Sequence, residues 1–426
     1  MTAARPRPSL LATAAATVLA TVAALTAAAP VAVASPPGNT VRFATFNASL
    51  NRATPGQLIT DLSTPGNVQA ANVAEIIQRE RPDILLINEF DYDSAGTALR
   101  LFQTNYLSVP HNGAGHIDFP YAFTAPSNTG IASGHDLNNN GVTNSVPNTP
   151  GYGDDALGFG DFPGQYGMAV YSKYPIDEDA VRTFQHFLWK DMPGNQMPPG
   201  WYDTEEQAIL PVSSKSHWDL PISIGKRTVH FLVSHPTPPV FDGPEDRNGR
   251  RNFDEIRLWA DYITPGAGDY IYDDAGTHGG LAPGASFVIA GDQNSDPLDG
   301  DSIPGAVQQL IENPGVNTSH TPSSQGGVEA AQLQGGLNAS HRSPPDQDTA
   351  DFCDTPVFPP CSGQGNLRAD YVLPSRDLGI WDSGIFWPVS SDPLYRLTGP
   401  GFPVPSSDHR SVWVDVKVPG ASSPAR

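Results

Sequence analysis

Seven short apolar runs set the terms on which this chain can fold: 41–46, 84–87, 167–171, 229–233, 287–290, 371–373 and 412–418. Each is too short for a helix and is bounded by Gly, Pro or polar clusters, so each reads as a strand. Most are too continuously apolar to be half-exposed, which predicts strands covered on both faces. The last alternates more and is expected to be an outer strand. Between the runs lie helical patterns. Residues 67–81 carry Val73, Ile76 and Ile77 at helical spacing and stop at Pro82, and Phe253, Ile256, Leu258 and Ile263 mark a second helix. Strands alternating with helices predict a layered α/β domain.

Three long polar segments, 125–164, 295–302 and 313–365, interrupt this pattern, which resumes after each. They are expected to be surface insertions, near 125–164 and 313–365 above all, in a single domain spanning 35–426. The first 34 residues stand apart from it. Arg5 and Arg7 give a basic start, an Ala-rich apolar stretch follows over 10–29, and Ala32-Val33-Ala34 offers a small-x-small cleavage site. A signal peptide over 1–34, removed after Ala34, is expected, with a secreted, extracellular and monomeric mature protein. No second apolar run approaches membrane-spanning length, so no stable membrane span is expected in the mature form. An oxidising destination favours a disulfide between the only cysteines, Cys353 and Cys361, and two sulfurs do not make a zinc site.

Nearly every run carries a polar signature at its carboxyl end. In chain order these are Phe46-Asn47, Asn88-Glu89, Ser234-His235 and Gly291-Asp292-Gln293-Asn294. Arg368-Ala369-Asp370-Tyr371 follows, and Ser407-Asp408-His409-Arg410 precedes the last run. Each is weak alone, since a Glu after a strand is usually a solvated end and Asp-x-Asn is a common turn. Together, loops at one end of a layered sheet form a common rim, which would gather amides, carboxylates and imidazoles in one cleft.

With Tyr171-Ser172-Lys173 included, this ordered set resembles the endonuclease/exonuclease/phosphatase superfamily of deoxyribonuclease-I-like phosphoesterases. The resemblance runs from Val41 to Val418. It implies a four-layer sandwich of two packed mixed β-sheets flanked by helices. It also implies hydrolysis of a phosphoester, with nucleic acid, a phospholipid headgroup and a small molecule all open as substrates. Glu89 and Asp408 look like ligands of a divalent metal, with Asn47 completing and orienting that site. His409, held by Asp370, resembles the catalytic histidine, and Asp292 the carboxylate that positions or deprotonates the attacking water. Asn294 and His235 look like phosphate-contacting groups, His235 also sharing in catalysis. Gln293 departs from the family, which usually has Phe there.

Physical chemistry favours the same assembly. An anionic phosphodiester repels an anionic nucleophile, so a hard cation is needed at a non-bridging oxygen. Magnesium or manganese held by one or two carboxylates suits the task. With a formal net charge of −21, the chain does not attract polyanions at long range, and metal ions must supply the positive field. Two alternative readings stay open: a catalytically inactive, calcium-stabilised binding module of the same fold, and a phosphomonoesterase. The complete set of Glu89, Asp292, Asn294, Asp370, Asp408 and His409 counts against the first.

Weaker signals remain. Asp136-Leu137-Asn138-Asn139-Asn140-Gly141 matches the first half of an oxygen-rich calcium loop, but Pro147 stands where the closing Glu would be, and the polar-turn reading is preferred. Lys215 and His217 could add contacts to the cleft. Arg250, Arg251 and Arg257 form a basic cluster expected to pair with Asp254 and Glu255. The aromatic stretch from Trp381 to Trp387 is open to core, lid or lipid readings.

Overall fold

The computed structural model describes residues 38–353, 360–361, 363–399 and 404–421; the expected leader and its cleavage site lie outside them. All seven apolar runs are strands. In chain order the strands are β1 (Thr40–Leu50), β2 (Ile84–Phe90), β3 (Tyr121–Phe123), β4 (Met168–Ser172) and β5 (Arg182–Thr183). Next come β6 (His217–Ile224), β7 (Arg227–Ser234), β8 (Ser286–Asp292) and β9 (Ala350–Cys353). The last four are β10 (Gly363–Leu367), β11 (Asp370–Pro374), β12 (Gly379–Ile385) and β13 (Val412–Lys417). One mixed sheet has the order β12-β13-β1-β2-β4-β3 and the other β11-β8-β7-β6-β5, while β9 and β10 form a separate hairpin. In the first sheet β1 and β2 are parallel, and in the second β7 and β8 are.

The apolar phase of the strands stacks these sheets into layers. Val41, Phe43, Ile84 and Leu86 face Phe231, Val233, Val288 and Ala290 across the space between the sheets. Phe43 and Phe231 meet there with ring centroids 5.6 Å apart, a contact worth about 0.5–1.5 kcal/mol beyond the area it buries. On the far side of the first sheet, Phe46, Leu85 and Ile87 pack against Val73, Ile76 and Ile77 of helix Val68–Glu80. On the far side of the second, Leu232 and Ile289 pack against Ile256, Leu258 and Trp259 of helix Arg247–Ile263. Helix, sheet, sheet and helix make four layers. Asn67 caps the first helix by accepting the Ala70 N–H at 3.0 Å, and Arg81 ends it in the left-handed region ahead of Pro82. No helix of the described residues is long and apolar enough to cross a membrane.

Two expectations need correction. β13 is not an outer strand: it pairs with both β1 and β12. Its outward residues alternate because they meet partners on the sheet surface. Asp415 takes a two-pronged ion pair from Arg42, whose guanidinium lies 3.6 Å over Trp413. The edge is β12, which contains Trp381 and starts the aromatic stretch that sequence left open; Trp387 is buried under the Arg410 guanidinium. The arginines of the second long helix do not pair with Asp254 and Glu255 either. Arg251 donates to the carbonyls of Leu157, Pro211, Val212 and Ser213, and Arg257 pairs with Asp261 one turn on. Asp254 and Glu255 face inward and accept from Trp189 and Gln196, and from Ser214 and Thr237, respectively.

Candidate active site

Period-two alternation along the strands builds the site. Val41 and Phe43 of β1 lie between the sheets, and the same phase carries Asn47 there. Ile84 and Leu86 lead in this way to Asn88. Val229, Phe231 and Val233 lead to His235, and Val288 and Ala290 to Asp292. On β11, Val372 leads back to Asp370. Each inner apolar row thus ends in a polar side chain at one rim of the sandwich. The rim is not made of carboxyl ends alone. β11 runs antiparallel to β8, which sets Asp370 opposite Asp292, and β13 runs antiparallel to β1, so these two strands contribute their starts.

Local backbone irregularities refine the aim. Glu89 is out of phase with Asn88, and its φ of 58° re-aims it at the cleft; Ser49 (φ 48°) and Asn294 (φ 49°) are left-handed nearby. Non-glycine residues in this region store strain and cluster at functional sites. A register shift between Asn47 and Leu50 bulges β1 at the same rim. Gly291 is required where β8 ends, because a Cβ there would lie 2.0 Å from the Ser234 carbonyl oxygen.

Asp292 is the hub. Its Oδ2 accepts from Asn47 Nδ2 at 3.0 Å and lies 3.4 Å from His235 Nε2 and 3.5 Å from His409 Nε2. Its Oδ1 accepts the Asn294 N–H at 2.8 Å, and its own N–H donates to Asn88 Oδ1 at 3.1 Å. Burial alone would raise its pKa, but the charge on His409 and the bonds from His235 and Asn47 outweigh this and hold it well below the usual carboxylate range. Behind it, His409 Nδ1 donates to Asp370 Oδ2 at 2.8 Å. Burial would lower the His409 pKa, but the Asp370 and Asp292 carboxylates on its two sides raise it well above its ordinary value. His235 stays neutral: burial pulls it down to about 4, and the Lys215 charge pulls the same way.

Asp292, Asp370 and His409 offer ligand atoms within 4.8 Å of one another, a spacing that a cation could also use. Here an imidazolium already lies between the two carboxylates and offsets one of their two charges. The uncompensated pair is Glu89 and Asp408. Both are half-buried, and neither forms an ion pair with Lys or Arg among the described residues. Burial, reinforced by the Asp408 charge, pushes Glu89 up to about 7, and Asn47 hydrogen-bonds it. Asp408 Oδ1 accepts from Ser49 Oγ at 3.2 Å. Two carboxylates and an amide, all oxygen donors, fit a magnesium-type ion.

Asn47, Glu89, His235, Asp292, Asn294, Asp370, Asp408 and His409 are therefore brought to one rim. Other sequence candidates are not. Lys173 belongs to the opposite rim, where its ammonium pairs with Asp83 at 3.0 Å. His217 has both ring nitrogens engaged, with Ser213 Oγ at 2.5 Å and the Glu255 carbonyl at 2.9 Å. In the Asp136 loop, side-chain oxygens of Asp136, Asn138 and Asn140 accept backbone N–H groups of the loop itself, as turns do. Gln293 is buried, its amide directed at Ser234 Oγ 3.3 Å away.

Sequence reasoning missed Thr349 and Phe352. Thr349 Oγ1 donates to Asp370 Oδ2 at 2.8 Å and accepts the N–H groups of Ala369 and Asp370, each at 2.9 Å. Phe352 sets its ring edge-on to His409 at 5.2 Å. Both come from the 313–365 segment, where β9 lies against the His409 stretch through the Asp351 N–H and Asp408 carbonyl. The Cys353–Cys361 disulfide closes the loop between β9 and β10. The only advance signal was a faint alternation over Ala350 and Phe352.

The sequence profile of the Endonuclease/Exonuclease/phosphatase family matches residues 44–409. Similar solved structures include an endonuclease/exonuclease/phosphatase from Beutenbergia cavernae DSM 12333, with 15% identity over 91% of this chain and 74% of that one and a TM-score of 0.43. Sphingomyelinase C from Streptomyces griseocarneus shows 13% identity over 88% and 99%, with a TM-score of 0.40. A variant of beta toxin from Staphylococcus aureus with bound magnesium ions shows 12% over 88% and 98%, also at 0.40. No curated protein sequence matches the chain significantly.

Proposed function

This chain belongs to the endonuclease/exonuclease/phosphatase family and is a phosphoester hydrolase; on that premise we propose that it is an exported, divalent-metal-dependent phosphodiesterase acting at the Asp292 rim. The supporting observation is the placement of Asp292 Oδ2 within reach of Asn47, His235 and His409, beside the uncompensated Glu89–Asp408 pair. Glu89 and Asp408 would hold magnesium or manganese, with Asn47 tying Glu89 to Asp292. An ion bound there supplies charge neutralisation at a non-bridging phosphate oxygen. Asp292, kept anionic, orients the attacking water and accepts its proton as the oxygen bonds to phosphorus. His409, kept protonated by Asp370, faces the charge that develops as the ester bond breaks, and His235 and Asn294 contact the phosphoryl oxygens. Four carboxylates at one rim favour a singly charged diester over a doubly charged monoester.

The test is hydrolysis of bis(p-nitrophenyl) phosphate and p-nitrophenyl phosphate by metal-stripped protein. Chelation is expected to abolish activity, with magnesium or manganese restoring it and the diester preferred. A parent protein that cleaves neither ester with any divalent ion would leave the inactive binding module as the better reading.

Export is proposed on sequence grounds alone, from Arg5, Arg7, the apolar stretch and Ala32-Val33-Ala34. Intact-mass analysis of protein from culture medium should find Ser35 at the amino terminus. The full chain recovered only in membranes would contradict it.

A further inference from the structure

Beside the Asp292 rim, a cavity of about 510 Å³ opens, and both Glu89 and His235 belong to its lining. That volume suits one small-molecule group. Its walls are aromatic: Phe159, Tyr166, Tyr202 and Phe241. One wall comes from the 125–164 segment, which is locked in place. Asn128 donates from its side chain to the Gln185 and Ser213 carbonyls, its N–H bonds the Lys215 carbonyl, and a Cβ on Gly158 would lie 1.8 Å from the Ser214 oxygen.

Two features of this cavity are unexplained by folding. The first is Lys215, 93% buried and part of the lining, whose ammonium has no hydrogen bond or ion pair among the described residues. The charges acting on it are those of Glu255, Glu89 and Asp292, opposed by that of Arg251, which places a cation within the field of the reaction centre. The second is the state of the aromatic rings. Phe241 is 89% exposed and Phe159 58%, and Phe241 and Tyr166 adopt left-handed backbone at φ 67° and 56°. For bulky residues that conformation is an outlier, of the kind retained at ligand clamps. Rings left in water at the mouth of a cavity, with a buried cation below, are the parts of a site that stacks a flat ring and grips an anion.

We propose that this cavity receives one ester arm of the substrate, that the arm carries a planar aromatic group stacked among Phe159, Tyr166 and Phe241, and that Lys215 binds an anionic oxygen of the phosphoryl group joining the arm to the reaction centre. The proposal deepens the phosphodiesterase reading and rests on it. An aryl group and a nucleobase share the chemistry.

The test measures binding, so it can fail while hydrolysis stands, and hydrolysis can fail without deciding it. Magnesium-loaded full-length mature protein is titrated calorimetrically with phenylphosphonate and methylphosphonate, which share a head group and differ in the ring. Phenylphosphonate should bind tighter by on the order of tenfold. A Phe159→Ala/Phe241→Ala variant, altering two exposed rings, should lose most of that preference and keep its affinity for methylphosphonate. Lys215→Met should weaken both ligands together, with near-ultraviolet circular dichroism confirming the fold. Adenosine 5′-methylphosphonate separates the two sources: tighter binding than phenylphosphonate assigns a nucleotide arm, and weaker binding a simple aryl arm. Equal affinities for the first two ligands, no saturable binding of phenylphosphonate, or a ring preference that survives the double substitution would overturn the proposal.

Discussion

Replacing His409 by alanine should cut turnover on a phosphodiester by about 10²–10⁴-fold while leaving divalent-metal binding nearly unchanged. The imidazole lies against Asp370 on one side and Asp292 on the other, and the structure gives it no contact with Glu89 beyond charge. Its loss should therefore remove charge stabilisation in the transition state without dismantling the acidic pair. Asp370→Asn should act in the same direction, because an amide no longer stabilises the imidazolium and can turn its own N–H toward Nδ1. Thr349 would still bond the replaced side chain, so the fold around β9 should persist. Steady-state rates with circular dichroism as the folding control check both. A His409→Ala protein with the parent's kcat would show that the histidine only fills space.

Asp408→Ala should lower activity and metal affinity together. The side chain is half-buried, accepts from Ser49 Oγ, and acts by its charge on Glu89; neither carboxylate has an ion pair with Lys or Arg among the described residues. Removing one of two carboxylates takes away a ligand and part of the local negative field, so the magnesium concentration for half-activation should rise by at least about tenfold, or beyond reach. Stability should change little or increase, since deleting one of two like charges relieves repulsion in the ion-free protein. Calorimetric titration with manganese reads the affinity directly. Unchanged affinity in this variant would place the metal elsewhere.

The parts of the fold that could be read in the sequence are those governed by local periodicity. β1, β2, β4, β7, β8, β11 and β13 were all visible as apolar runs, because strands buried on both faces cannot hide their composition. β12 and β9 escaped, since their residues are mixed and their order comes from β13 and β10 rather than from their own pattern. The outer-strand reading of the 412–418 run failed for a related reason. Alternation does not require water on one side: Arg42 covers that face.

The site was legible as a set of rim signatures but not as a geometry. The phase that sends Asn47, His235 and Asp292 inward could have been counted from Phe43, Val233 and Ala290. The left-handed turn at Glu89 could not, nor could Thr349 bonding Asp370 from a segment that looked like surface decoration. For Lys215 the sequence leaves a cleft contact and plain strand decoration both open, because its burial depends on where the 125–164 segment packs.

On the proposed mechanism labour is divided within one cleft: Glu89 and Asp408 would hold the metal, and Asp292, Asp370 and His409 would handle charge and protons. The most direct measurement is initial rate on bis(p-nitrophenyl) phosphate across magnesium concentration for the parent, His409→Ala and Asp408→Ala proteins. His409→Ala should keep the midpoint unchanged with a plateau lowered by about 10²–10⁴-fold. Asp408→Ala should displace the midpoint to higher magnesium. Two variants that both retrace the parent's curve would contradict this division of labour.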